Sequence, residues 1–291
     1  MAESVIPVDC RNPGQVFACL GLLEVANALV NDTKGAFDLG TDCSRAKYRI
    51  TSRRLHNPVD VVLEFLANAE PTAVAPPRWR PKRTPEDPKK IRKLEEEISK
   101  QRQSLTYPCA WPDTSAAMPI ELIGKCGNRF ALTHYADGSK RNPFKLYSGN
   151  RSALQIATRM LRSMSELWHS KRHEVTRRPF DVLTPMGGSF NFDPHGTWTA
   201  INVGYSLNTQ RHMVTASPIV EILAACGLEN ARPHEFETRK FRYNVWGVPL
   251  PPILARVALA AQEIPGVLMT RFRFHLELSG KNKVVTFAEK E

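Results

Sequence analysis

Apolar positions recur along this chain with two periods. Residues 152–172 carry the clearest helical one. At about 100° per residue, Ala153, Leu154, Ala157, Met160, Leu161, Met164, Leu167 and Trp168 share one face, and Arg151, Gln155, Arg159, Arg162 and Glu166 share the other. Ser152 and Gln155 form a capping box at its start. Val16 to Leu29 is apolar nearly all round, the pattern of a buried central helix. Asn12-Pro13-Gly14-Gln15 opens it: Asn12 suits the N-cap, Pro13 the first helical position, and Gln15 completes an N-x-x-Q capping arrangement. Gly21 inside it permits close packing. Asn57-Pro58 starts a helix to about Asn68. Pro218 starts an apolar helix over Ile219–Cys226, ended by Gly227. A further helix runs from Ile253 to about Gln262.

The second period is two. In residues 45–51, Ala46, Tyr48 and Ile50 oppose Arg45, Lys47 and Arg49. In 239–246, Phe241, Tyr243 and Val245 oppose Lys240, Arg242 and Asn244. In 271–278, Phe272, Phe274, Leu276 and Leu278 oppose Arg271, Arg273, His275 and Glu277, and Ser279-Gly280-Lys281-Asn282 turns this strand into Val284–Phe287 as an antiparallel hairpin. Short strands are expected at 5–8, 121–123 and 130–133, and Gly187-Gly188, Asp193-Pro194 and Gly196 mark turns. Six prolines within 71–88 predict a long surface loop, followed by an exposed charged helix over about 88–103 with a thin stripe of Ile91, Leu94 and Ile98. The expected fold is α+β, mainly antiparallel sheet with packed helices and long loops, forming a single globular unit over 1–291.

Composition narrows the class. The chain has 291 residues, 42% hydrophobic and 24% charged, which excludes fibrous and fully disordered proteins. The longest apolar run, Val16 to Leu23, falls short of the ~20 residues of a membrane span. Glu3 and Asp9 replace the positive region of a signal peptide, so a cytoplasmic protein with no membrane partner is expected. The six cysteines show no C-x-x-C pair, so neither disulfides nor a zinc knuckle are expected.

Charge changes the picture. The net charge is +11, and basic domains favour polyanions, nucleic acid first among them. Between Ser139 and Arg178 there are ten Lys/Arg against two acids, Glu166 and Glu174. A second cluster over 78–93 interleaves Trp79 with Arg78, Arg80, Lys82 and Arg83, where an indole can stack on a base or on an arginine plane. The expected nucleic-acid contacts are Arg78, Trp79, Arg80, Lys82 and Arg83 in the proline-rich loop, and Lys140, Arg141, Asn142 and Lys145 in a second loop. Arg151, Arg159 and Arg162 on the helix and Lys240 and Arg242 on a strand complete the set. If the three strands with basic polar faces share one sheet, its outer face is a positive platform; the solvent face of an antiparallel sheet is polar in any case.

Several chemistries lack their motifs. The sequence has no P-loop, no G-x-G-x-x-G after a strand, no G-x-S-x-G elbow and no H-E-x-x-H. His169 and His173 stand four apart, but Lys171, Arg172 and Arg177 surround them and repel a divalent cation. Asp193-Pro194-His195 reads as a turn, and Asn12 and Gln15 as helix caps. No cofactor, metal or catalytic constellation is expected.

Asn12-Pro13-Gly14-Gln15-Val16-Phe17-Ala18-Cys19-Leu20-Gly21-Leu22-Leu23-Glu24 resembles the N-terminal signature of CRISPR-associated proteins of type I-U (I-G) systems. Phe192-Asp193-Pro194, Val203 to Asn208, Pro218 to Leu228, and Arg242-Tyr243 with Trp246 and Pro249 to Pro252 are similar to the same group. The resemblance implies a small, non-catalytic version of the large subunit of a Cascade-type surveillance complex. Its implied partners are crRNA, target double-stranded DNA near the protospacer-adjacent motif (PAM), the backbone and handle-binding Cas subunits, and the Cas helicase-nuclease. Gly138 to Asn142 and Arg78 to Arg83 are the expected reading or wedging loops. The competing expectation is a metal-independent crRNA-processing endoribonuclease with His134 or His195 as general base.

Overall fold

The computed structural model describes residues 1–75, 119–135, 143–147, 151–185, 188–196, 215–279 and 282–291, the backbone at 109–110, and the helical positions Lys89, Arg92 and Glu96. In chain order the elements are β1 (Ala2–Val8), α1 (Pro13–Val30), β2 (Thr33–Asp38), β3 (Ala46–Ser52), α2 (Pro58–Asn68), β4 (Glu70–Ala75), β5 (Cys109–Ala110), β6 (Ile120–Ile123), β7 (Arg129–Leu132), α3 (Ala153–Arg177), β8 (Thr184–Pro185), β9 (Thr215–Ala216), α4 (Pro218–Asn230), β10 (His234–Glu237), β11 (Lys240–Trp246), α5 (Pro252–Leu259), β12 (Met269–Ser279), β13 (Asn282–Val285) and β14 (Glu289–Lys290). The fold is α+β, and all its sheets are antiparallel.

The all-apolar run becomes α1, buried over nearly its whole length. It is the one described helix long and apolar enough to cross a membrane, and most of it lies inside the core. Asn12 accepts from the Gln15 N–H at 3.2 Å, as an N-cap should. The reciprocal half differs from a capping box. Gln15 Oε1 accepts from the Asp9 N–H at 2.7 Å, while the Asn12 N–H donates to the Asp9 carbonyl. The one acid in the apolar stretch, Glu24, accepts from Nε and Nη2 of Arg256 on α5, at 2.6 and 2.7 Å.

α1 packs against α4 more closely than side chains allow. A Cβ on Gly21 would collide with the Leu223 carbonyl, and one on Gly227 with the Phe17 carbonyl. The helices therefore meet backbone to backbone through two glycines. Contrary to the expectation from sequence, Gly227 does not end its helix; α4 continues to Asn230, and the glycine serves this crossing.

Two sheets pack on α1. The first has strand order β1-β3-β2, and Ala46, Tyr48 and Ile50 point inward as their alternation predicts. The second runs β10-β11-β12-β13, with β14 also on β12. Its inner face supplies Tyr243 and Phe274, whose rings meet Phe17 at 6.0 and 5.9 Å. Such aromatic pairs add roughly 0.5–1.5 kcal/mol each beyond burial. The sheets join at one bridge, Gly35 with Leu250, where Trp246 Nε1 also donates to the Gly35 carbonyl at 2.7 Å. The three basic strands thus do not form one platform: β3 lies in the first sheet, β11 and β12 in the second.

Other expectations shift. Pro71 to Ala75 is not loop but most of β4, paired with β6, with Ala73 and Val74 buried. Pro71 is tolerated near the strand start, where β6 alone flanks it. Residues 76–88 lie outside the described residues, as does most of the charged helix. Its described positions Lys89, Arg92 and Glu96 are helical and exposed, with Arg92 and Glu96 paired at 3.3 Å. α3 has both halves of its capping box and extends past the expected end, with a kink at Lys171 (φ −136°, ψ 32°). α5 stops at Leu259, two residues before Ala261 takes a positive φ of 59°. Leu278 is 58% exposed near the hairpin tip, although its alternation points it inward. The final strand of the hairpin is Asn282–Val285, so Phe287 falls beyond it. The described cysteines are free: Cys10, Cys19 and Cys226 buried, Cys43 half-buried and Cys126 exposed.

Replacing Gly21 or Gly227 with alanine is expected to destabilise the protein by about 3 kcal/mol, because backbone cannot yield as a side chain can. Gly247→Ala, where a Cβ meets nothing within 4 Å, should stay within about 0.5 kcal/mol. Urea midpoints of the three variants measure the difference.

Candidate functional site

Two regions carry polar groups that the core alone does not require: the outer face of α3, and a buried network where α1, α4 and the 188–196 segment meet.

α3 fulfils its pattern. Ala153, Ala157, Met160, Leu161, Met164, Leu167 and Trp168 are buried as expected, Leu154 is only half-buried while Ile156 is buried, and Arg151, Gln155, Arg159, Arg162 and Glu166 are exposed. Arg162 pairs with Glu166 at 3.2 Å, and Arg151 reaches back against Gly188. Toward the C-terminal end the same helix exposes His169, Lys171, Arg172, His173 and Arg177, with Arg178 just beyond. Arg172 lies over the Trp168 ring at 4.4 Å; Lys171 and Arg178 have carboxylate neighbours in Glu174 and Asp181. Basic groups still outnumber acids on this face.

The basic residues of β11 and β12 are more fully matched. Lys240 pairs with Glu237 at 2.9 Å and Arg242 with Glu291 at 2.9 Å. Arg273 pairs with Glu289 at 3.0 Å and Arg271 with Glu263 at 3.8 Å. Arg242 also stacks on Phe236, 4.0 Å from its centroid. This face is polar and nearly balanced in charge, with a carboxylate beside each of Lys240 and Arg242. Arg78, Trp79, Arg80, Lys82, Arg83, Lys140, Arg141 and Asn142 lie outside the described residues. Lys145 is described and half-buried, not extended into solvent.

The buried network unites stretches far apart in the chain. Asn12 Nδ2 donates to Asp193 Oδ1 at 2.9 Å and lies 3.2 Å from His195 Nδ1. The same Asp193 oxygen accepts from the His195 backbone N–H at 3.1 Å and faces its Nδ1 at 3.0 Å. One Glu221 oxygen accepts the Phe192 and Asp193 N–H groups at 3.0 and 2.9 Å; the other has no hydrogen-bond partner among the described residues. Asp193 and Glu221 are both fully buried, whereas the His195 ring is about half exposed beside Phe287. Close by, Tyr243 donates to the Cys10 carbonyl at 2.7 Å.

Electrostatics follows from this burial. Desolvation pushes Glu221 up to about 7; the Asp193 carboxylate acts the same way, and the N–H donors oppose it. His195 is raised, first by its bond to Asp193. Asp9 is raised by burial. A different fate meets His134. Its ring is buried against Glu229 at 3.5 Å, and desolvation lowers its pKa. Burial works against the Glu229 charge, but bonds from His134 and Thr133 bring that carboxyl down to about 2. Of the two expected bases, His134 is shut away and His195 alone reaches solvent.

From sequence, Asp193-Pro194-His195 reads as a turn and Asn12 as a cap. Both hold, and both groups also serve the network. Glu221 is the residue missed; its signal is a lone acid within the apolar run 218–228. No group of three or more described His, Cys, Asp or Glu side chains is arranged to hold a metal ion. Comparison with protein-family models, curated proteins and solved structures gives no match to this chain.

A raised carboxyl pKa in the folded state means that the fold binds the proton more tightly than the unfolded chain does. The Glu221 contribution is fully present below its ordinary value of 4.5 and is lost as pH rises through about 7. The urea midpoint is therefore expected to fall between pH 5 and pH 8. Glu221→Gln, which cannot ionise, should flatten that fall and exceed the parent protein at pH 8. Equal pH dependence in both proteins would place the titration elsewhere.

Proposed function

We propose that this chain is a non-catalytic, nucleic-acid-binding subunit of a CRISPR RNA-guided surveillance complex, acting in the cytoplasm. In this reading it binds target DNA near the PAM, helps to open the duplex and docks the Cas helicase-nuclease. The observation that carries it is α3: one face locked into the core, the other presenting Arg151, Arg159, Arg162 and the basic C-terminal turns. A rigid helix with arginines on its exposed side suits phosphate contacts, which fix register on a duplex without reading sequence. The sequence resemblance supplies the CRISPR setting. Support also comes from the meeting of the resembling stretches: Asn12, Asp193 and Glu221 come from three of them and share one network.

A second reading, a metal-independent crRNA-processing endoribonuclease, is favoured by one observation. His195 is oriented through Nδ1 by a buried Asp193 while its ring meets solvent, the arrangement a general base needs. Cleavage of repeat RNA in the presence of a chelator, abolished by His195→Ala, would establish it.

The chain, tagged and expressed with its genomic neighbours and a CRISPR array, should bring guide RNA and other Cas subunits with it. Arg159→Glu with Arg162→Glu is expected to weaken DNA binding by that complex on any sequence. The salt slope of log K should flatten by roughly one unit per lost phosphate contact. A free chain that ignores nucleic acid at physiological salt overturns the proposal.

A further inference from the structure

Among the described residues one Phe, Tyr or Trp ring is exposed: Phe287, at 46%. Its neighbours in the chain are fixed. The Thr286 N–H donates to the His275 carbonyl at 3.2 Å, and the N–H of buried Ala288 donates to the Arg11 carbonyl at 2.7 Å. The exposed ring thus stands on a pinned main chain, so a ligand that lies on it has little else to order on binding.

A second ring stands against it. His195 meets Phe287 edge to face, with centroids 5.2 Å apart and planes at 79°. Asp193 Oδ1 holds His195 Nδ1 at 3.0 Å, and Asn12 Nδ2 holds that oxygen at 2.9 Å. Nε2 is the ring nitrogen that Asp193 does not engage, on a side chain 47% exposed. The Asp193 bond raises the His195 pKa against the effect of burial, and Asp9 and Asp181 act with it; Asp181 is itself paired with Arg178 at 2.7 Å. Arg11, with its side chain 54% exposed, adds a guanidinium 3.9 Å from Asp9. An aromatic face accepts any base by stacking. Cationic N–H donors beside it suit the phosphate that travels with the base. The base must be unpaired, because bases in a duplex stack on one another instead.

We propose that Phe287 is a stacking platform for an unpaired base of single-stranded nucleic acid, with His195 as its polar side wall. The choice of nucleic acid as ligand rests on the proposed function; the exposed ring and the imidazole fixed beside it rest on the geometry alone. The platform is a contact of a different kind from α3, whose arginines suit the phosphates of a duplex.

The test uses the full-length protein and a fluorescent dT12 oligonucleotide carrying one 5-iodouracil, a base that photo-crosslinks to an aromatic ring it stacks on. Irradiation is expected to join it to Phe287 or His195, located by mass spectrometry, and a blunt duplex of the same sequence should give no such crosslink. Phe287→Leu keeps an apolar side chain and loses the aromatic face. It is expected to abolish the crosslink and to weaken oligonucleotide binding about tenfold at low salt. Phe287→Trp should retain both, separating loss of stacking from loss of fold. Undiminished binding by Phe287→Leu, or crosslinks confined to other residues, overturns the platform even where α3 still holds nucleic acid. If Phe287→Leu leaves oligonucleotide binding intact but releases other Cas subunits from the chain, the ring serves a protein contact and the nucleic-acid assignment falls. Co-purification of guide RNA is scored separately, so failure of the surveillance-complex reading is distinguished from failure of the platform.

Discussion

The backbone contact between α1 and α4 governs where every other polar group can sit. Gly21 and Gly227 let each helix press against the other's carbonyls. Any side chain there would push the axes apart by the width of a methyl group or more. Asn12 lies a few residues before Phe17, and Glu221 immediately precedes the Ile222-Leu223 part of the contact. Close approach of the helices therefore brings a cap residue of one and an acid of the other to the same 192–193 peptide. Gly14 extends the constraint, since a Cβ on it would run into the Phe192 carbonyl. Gly14, Gly21 and Gly227 thus stand where backbone meets backbone.

That packing explains an acid buried in the first turn of an apolar helix. Glu221 satisfies two N–H groups of a segment that has no helix or ladder partner for them. An unpaired buried donor costs roughly 1–3 kcal/mol, so one carboxylate oxygen removes two such penalties. The cost reappears as a raised pKa, because burial desolvates the carboxyl and Asp193 lies beside it. Glu24 meets the same problem with a different solution, a bidentate guanidinium from α5. Both acids occupy apolar helices, yet one is paired with a counter-ion and the other has its pKa pushed up to about 7 by burial.

Much of this was legible in the residues. The caps Asn12, Asn57 and Ser152 accept the N–H groups expected of them, and the faces of α3, β3 and β11 follow their periodicity. These features depend on neighbours within one or two turns. What escaped depends on distant partners. Pro71 sits in a strand because β6, about fifty residues later, pairs with it. Gly227 reads as a helix terminator until Phe17 is seen opposite. Asp193 reads as turn chemistry until Asn12 and Glu221 arrive on either side. Leu278 keeps its strand alternation but loses its burial because the sheet ends there.

Charge shows the same division between local pattern and distant partner. Alternation on β11 and β12 correctly places Lys240, Arg242, Arg271 and Arg273 on the outer face, yet their carboxylates come from β10, a loop and the last residues of the chain. Exposed pairs of this kind contribute only about 0–1 kcal/mol to stability, but they matter for recognition because they cancel the field a polyanion would feel. On α3, by contrast, acids are too few to match the arginines and lysines, and helical geometry fixes their spacing. Local net charge survives on the helix face and is offset on the strand faces for one reason. A helix face carries its own charge balance within its sequence, whereas a strand face shares its balance with whatever the sheet and termini bring alongside.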